Sequence, residues 1–225
     1  MSRISLRKVL ILASILFLGT ALAAQAVPTT ITVRVMALNG KFLGTTMGGA
    51  RIVLRDADTG RILASGLTSG STGDTEHIME TPHERRFTYS TEGSASFTAV
   101  IDIDRPTRVE VTATGPMANR GAANTVSSTQ WVLPGKDITG GDGWLLELRG
   151  FSVQVMAPAT HIKLHLLPMN HNTVTVHVEA NITLMCGCPL GPGTLWDSDG
   201  YEIVATVTRD GKPFGRYPMT YARAL

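Results

Sequence analysis

Apolar and polar residues alternate with a period of two along much of the chain. Ile31, Val33 and Val35 occupy every second position near the beginning, and residues 173–184 repeat the pattern over the most regular stretch of the sequence. Such alternation is typical of a strand with one face in a core. No convincing period of 3.6 residues occurs beyond the N-terminal segment. The pattern predicts an all-β protein.

Turn signals divide this pattern into short strands. The sequence Asp56-Ala57-Asp58-Thr59-Gly60 follows one apolar run and precedes another, which predicts a β-hairpin. Stretches rich in Ser, Thr and Gly predict loops at 67–81 and 115–129. We expect the remaining strands at 94–104, 108–114, 144–148, 151–155 and 201–208, with 144–148 and 151–155 forming a second hairpin.

The first 26 residues resemble a secretory signal peptide. Arg3, Arg7 and Lys8 precede an uncharged run at 9–23, and small residues at 21–26 offer cleavage sites. The run is short for a bilayer span, although an uncleaved anchor is the alternative. We therefore expect a periplasmic or secreted protein with no membrane span in the mature chain.

The charge balance excludes several classes of function. The chain has 20 basic and 18 acidic residues, and removal of the three basic residues at 1–26 leaves 17 against 18, a net charge of −1. That balance offers no basic field for nucleic acid. Neither a Ser-His-Asp spacing, nor a phosphate-binding glycine loop, nor an HExxH motif occurs, so we expect no enzyme.

The two cysteines form the best candidate site. Cys186 and Cys188 lie one residue apart beside Met185, and soft sulfur donors of this kind select Cu(I), zinc or iron–sulfur centres. Gly187 permits a positive φ that turns both sulfurs toward one point, and Pro189 should end the strand. On an extended strand the two Cα atoms would be about 6.5–7 Å apart, at or beyond the usual disulfide range. A metal site is therefore favoured over a redox-active disulfide or inert thiols.

Two sulfur donors are too few for copper or zinc, which normally take three or four ligands. His171, beside a predicted turn, and His177, on the predicted strand, are candidate ligands, although a solvent-facing position explains His171 equally well and is favoured for His177. Asp197 and Trp196 could support the ligands, or the tryptophan could simply cap the core. His165 and Met169, also upstream, are further candidates, although a solvent-facing strand position is favoured for His161 and His165. The sequence assigns no role to the remaining histidines and methionines, namely His77, His83, Met36, Met47, Met79, Met117, Met156 and Met219.

Residues 50–69, with the Asp-x-x-Thr-Gly turn at 56–60, resemble transthyretin-like or carboxypeptidase-regulatory-like β-sandwich modules. The resemblance implies a transthyretin- or immunoglobulin-like sandwich over 27–157. Pro158, between two alanines, is the best candidate for a domain boundary.

Residues 173–221 resemble the exported copper proteins encoded beside particulate methane and ammonia monooxygenases, the PmoD and AmoD family. The likeness rests on Met-Cys-Gly-Cys-Pro at 185–189, Pro-Gly-x-Leu-Trp-Asp at 192–197 and Pro-x-x-Tyr-Ala at 218–222. It implies a cupredoxin-like sandwich, complete or incomplete, over 158–225, and a homodimer with a dinuclear copper centre. Cys186 and Cys188 would then bridge the coppers, Met185 would add a thioether, and a membrane copper monooxygenase would be the partner.

Three functions follow from these features. The first is an exported copper-binding protein that delivers or stores copper or transfers electrons. The second is a structural or interaction protein of the cell envelope or surface, built from β-sandwiches, in which the cysteines hold no metal. The third is a thiol–disulfide redox protein.

Overall fold

The computed structural model describes residues 25–161, 163, 169–170 and 173–223. Strands dominate these residues, which confirms the predicted all-β class. The predicted signal peptide lies almost entirely outside the described residues, as do His165 and His171. Within the described part of the chain, no helix is long and apolar enough to cross a membrane.

The first sheet has three strands and is organised around β1 (Val27–Ala37). This strand pairs antiparallel with β4 (Phe97–Ile103) and parallel with β7 (Trp144–Leu148). Because β1 is central, nearly all of its residues from Thr29 onward are buried or half-buried.

The second sheet has four antiparallel strands in the order β3-β2-β5-β6. They are β2 (Arg51–Asp56), β3 (Ile62–Leu67), β5 (Thr107–Gly115) and β6 (Asn124–Val132). The hairpin predicted around residues 57–60 is confirmed, since β2 and β3 pair directly. The Asp56 carboxylate accepts hydrogen bonds from the amides of Thr59 (3.0 Å) and Asp58 (2.9 Å), which lower its pKa.

The two sheets pack face to face as a β-sandwich over one apolar core. Alternate residues of β2 and β5 point inward, as the period of two predicts. Each fully buried aliphatic side chain contributes about 1.5–3 kcal/mol to the free energy of unfolding. The core includes Ile31, Val33, Val35, Ile52, Leu54, Ile101, Ile103, Val109, Val111, Ala113, Leu146 and Leu148.

A smaller cluster forms between β1 and the segment that follows β3. Met36, Phe42, Ile78 and Ala95 make up this cluster, and Ile78 belongs to a short π-helix at Glu76–Glu80. His77 and His83 each donate a ring N–H to a backbone carbonyl at 2.8 Å. The His77 ring stacks on Phe87, and the His83 ring packs against Phe87 at a tilt. These two histidines therefore stabilise the segment between β3 and β4, a structural role that the sequence did not predict.

Two predictions of local structure were wrong. The loop expected at 115–129 contains a 3₁₀ turn (Arg120–Ala122) and most of β6, whose residues are mainly exposed and so lack a clear alternation. The strand β8 (Phe151–Ala157) does not form a hairpin with β7. It pairs instead with β11 (Glu179–Leu184), while β7 pairs with β1 in the first sheet.

The remaining strands form three two-stranded sheets. They are β8 with β11, the short pair β9 (Met169–Asn170) and β10 (Thr173–Val174), and the hairpin β12 (Val204–Arg209) with β13 (Lys212–Pro218). The strand predicted over 173–184 is interrupted, since residues 175–178 belong to no strand. Pairing of β8 with β11 crosses the predicted boundary at Pro158, so the two predicted modules share a sheet.

Candidate metal centre

Cys186 and Cys188 lie on a tight turn at the end of β11. The Leu184 amide donates to the Cys188 carbonyl at 2.9 Å, and the Gly187 amide donates to the Leu184 carbonyl at 2.9 Å. Gly187 has a φ of +83°, in the left-handed region. A three-residue loop that ends in a left-handed glycine is a common hairpin connection. The chain therefore reverses direction at Gly187, as this glycine predicted.

The turn places the two cysteines within disulfide range. Their Cα atoms are 5.5 Å apart and their Sγ atoms are paired as a disulfide. The spacing predicted for an extended strand was wrong, because the strand ends at Leu184 and the cysteines flank the reversal. A separation of 5.5 Å is typical of disulfides.

The sulfur atoms of this turn are buried. Met185 and Cys186 are each 2% exposed and Cys188 is 5% exposed, and all three belong to the main core cluster. A β-carbon on Gly40 would lie 3.1 Å from the Sγ of Cys186, so the turn after β1 packs directly on this sulfur. The core thus excludes water from the cysteine pair.

A thioether that the sequence analysis did not select lies against the same turn. Met47 is the last residue of a 3₁₀ turn (Thr45–Met47) in the N-terminal sandwich, and it is half-buried. A β-carbon on Gly187 would lie 2.7 Å from its Sδ and 2.9 Å from its Cγ. Since Met47 and Cys186 are far apart in sequence, no local motif could have linked them.

The structure does not bring His177 to the cysteines. His177 is exposed, and its Nε2 lies 3.7 Å from a carboxylate oxygen of Glu179. It precedes β11 whereas the cysteines follow it, and a six-residue strand is about 17 Å long. The other candidate, His171, lies outside the described residues. The sulfur atoms that the structure pairs are those of Cys186 and Cys188, and the Met47 thioether lies against Gly187 between them.

Trp196 and Asp197 have structural contacts near this site. The indole Nε1 of Trp196 donates to the Asn39 carbonyl at 2.9 Å, and the ring packs against the main core. The Asp197 carboxylate accepts from the amides of Gly193 (3.1 Å) and Asp199 (3.0 Å). Trp196 therefore ties the loop after the cysteines to the turn after β1, and Asp197 organises that loop.

A large groove runs beside the cysteine turn. Its volume is about 1930 Å³, and Met47, Gly187 and Pro189 line it at the end near the turn. Tyr217 and Phe214 of β13 also line it. Met47 and Gly187 thus face an open space, whereas both cysteines are buried.

The donor set suits a soft metal ion once the disulfide is reduced. Thiolates are the ligand form of cysteine, and thiolates with thioethers select Cu(I). Among the described residues, no group of three or more His, Cys, Asp or Glu side chains is placed to hold a metal ion. The candidate ligands at this turn are therefore sulfur atoms.

Comparison with known proteins finds no match for this chain among protein-family models, curated proteins or solved structures. The likenesses to transthyretin-like modules and to the PmoD and AmoD family therefore stay predictions from sequence.

Proposed function

We propose that this chain is an exported copper-binding protein that holds Cu(I) through Cys186 and Cys188. One observation carries the proposal: the Gly187 turn places both sulfurs side by side in an apolar, nearly water-free environment, and the Met47 thioether lies against the residue between them. Soft donors and exclusion of water both favour Cu(I). Delivery, storage or electron transfer for a copper enzyme would use the same site.

The disulfide and the dithiol are two states of this site. Two electrons and two protons from a dithiol reductant would convert the disulfide into two thiols, with the reductant oxidised to its own disulfide. Binding of a metal ion would then release the two thiol protons, because the ligand is the thiolate. The oxidised chain would be unable to load, so the redox state of Cys186 and Cys188 would control copper binding.

The test is a Cu(I) titration of residues 27–225, reduced and kept free of oxygen, against a chromophoric Cu(I) chelator. We expect stoichiometric binding that is lost in Cys186→Ala/Cys188→Ala and in the oxidised wild-type chain. Binding by the unsubstituted chain no tighter than by the double variant would overturn the proposal. A ratio of one copper per chain in the titration, together with a dimer mass measured by light scattering, would support a shared dinuclear centre.

A second function, thiol–disulfide exchange, would use the same paired sulfurs. Exchange requires attack by an external thiolate on a disulfide sulfur, and reactive cysteines are partly exposed for that reason. At 2% and 5% exposure, Cys186 and Cys188 are poorly placed for such attack. Rapid, reversible two-electron titration of the metal-free chain, with transfer to a substrate disulfide, would favour this function. If the chain showed neither metal binding nor thiol–disulfide exchange, the remaining function would be that of a β-sandwich interaction protein.

A further inference from the structure

We propose that Met47 supplies a third sulfur donor to the metal site, so that the site is built from both ends of the chain. This inference rests on the proposed function. Two thiolates are too few ligands for a typical copper site, and Met47, a residue of the N-terminal sandwich, would add a third soft donor.

The position of Met47 supports a ligand role. Its Sδ lies against the Cα of Gly187, the residue between the two cysteines, where a β-carbon would approach to 2.7 Å. Only a glycine at 187 leaves the thioether this close to the backbone that carries both thiols. Met47 and Gly187 also line the groove, so a metal ion could enter beside them.

The backbone of Met47 is held in place while its side chain keeps some freedom. The Ala118 amide donates to the Met47 carbonyl at 3.0 Å, and the Met47 amide donates to the Gly44 carbonyl at 3.1 Å. The side chain itself is half-buried and unbranched. A methionine of this kind adjusts its sulfur over short distances at little cost. We therefore expect the Sδ of Met47 to turn from the Gly187 backbone toward the thiolates when a metal ion binds.

Met185, the nearer methionine in sequence, is less free to do so. It is 2% exposed, and its Cε packs at Gly150, where a β-carbon would lie 3.2 Å away. Its thioether is thus part of the core packing. Because a thioether is neutral and carries no proton, Met47 would add a soft donor without adding charge to two thiolates.

The experiment compares Met47→Leu with Met156→Leu in the reduced chain. Met156 lies on β8 and is 49% exposed, so its substitution controls for loss of a methionine. We expect Met47→Leu to weaken Cu(I) binding by about tenfold or more. X-ray absorption at the copper edge should show one sulfur scatterer fewer in Met47→Leu and no change in Met156→Leu.

A second variant separates coordination from packing. Met47→His offers a nitrogen donor at the same place, so we expect partial recovery of affinity and a new nitrogen scatterer. Binding by Met47→Leu within twofold of wild type, with the same sulfur count, would overturn the inference and leave the proposed function intact. Failure of the unsubstituted chain to bind Cu(I) would overturn both.

Discussion

Met47 and Gly187 touch across the two halves of the chain. The Sδ of Met47 occupies space that a β-carbon on Gly187 would enter, at 2.7 Å, and Gly187 has a φ of +83°. Two independent constraints therefore require glycine between the cysteines. One is the left-handed backbone conformation, and the other is the thioether.

Gly187→Ala should destabilise the chain more than Gly193→Ala does. Gly193 has a φ of +66° but nothing within 4 Å of its missing β-carbon, so its substitution measures the backbone cost alone. We expect that cost to be about 1–2 kcal/mol. Gly187→Ala should add about 1 kcal/mol from overpacking against Met47. Urea denaturation monitored by tryptophan fluorescence would measure both values.

Truncation of the neighbour provides the matched control. In a Met47→Ala background the excess cost of Gly187→Ala over Gly193→Ala should disappear, because the thioether is gone. An excess that survives Met47→Ala would show that the contact is not the cause.

Thr68→Val should be costly despite its similar shape. The buried Thr68 hydroxyl donates to the Leu43 carbonyl at 3.1 Å and accepts from the Ala50 amide at 2.8 Å. Valine would leave both backbone groups without that partner, so we expect a loss of about 2 kcal/mol in the free energy of unfolding. The hydroxyl of Thr125 shares an exposed hydrogen bond of 2.9 Å with the hydroxyl of Thr114, so Thr125→Val should change stability by less than about 0.5 kcal/mol. Equal losses in the two variants would contradict this account.

Stability should fall at low pH through Asp56. Hydrogen bonds from the Thr59 and Asp58 amides lower the pKa of this carboxyl, so the folded chain favours the charged form. The stabilisation is fully present above the unfolded-state pKa of about 4 and is lost as the pH falls through the lower folded-state pKa. Asp56→Asn should therefore be less stable than wild type at neutral pH. The difference should shrink below about pH 4 in denaturation curves measured at several pH values. If the stability difference between wild type and Asp56→Asn did not vary with pH, the charged form of the Asp56 carboxylate would not be its cause.

The sequence predicts best where a strand has one face in a core and one in solvent. Ile31, Val33 and Val35 follow the alternation and are all buried. The same pattern overestimated the strand at 173–184, where Val176 is 44% exposed and Val178 is 37% exposed. Alternation shows which residues could share a face, but it does not show that a partner strand is present to cover them.

The candidate site also has one part that the sequence predicts and one part that it does not. The cysteines and Gly187 are adjacent in sequence, so their turn could be predicted from local chemistry. Met185 directly follows the end of β11 at Leu184 and is buried. The contact with Met47 depends on how the sandwich and the β11 hairpin pack, and no local pattern encodes that packing.

The hydrogen bond from Trp196 to Asn39 should control how fast the disulfide is reduced. Asn39 precedes Gly40, which packs on the Sγ of Cys186, so the indole helps to close the structure over the sulfurs. Buried sulfurs react only when such contacts open. Trp196→Phe removes a bond of about 1 kcal/mol, which should raise the rate of reduction by a phosphine about fivefold under native conditions.

Trp131 provides the control, because it is 62% exposed on the edge strand β6. Trp131→Phe should leave the rate of reduction unchanged, as measured by trapping free thiols over time. If both substitutions left the rate at the wild-type value, the Trp196 contact would not limit access to Cys186. If both raised it equally, the effect would reflect global stability. A rise confined to Trp196→Phe would show that the disulfide becomes accessible when the turn after β1 opens at Gly40, which packs on the Sγ of Cys186.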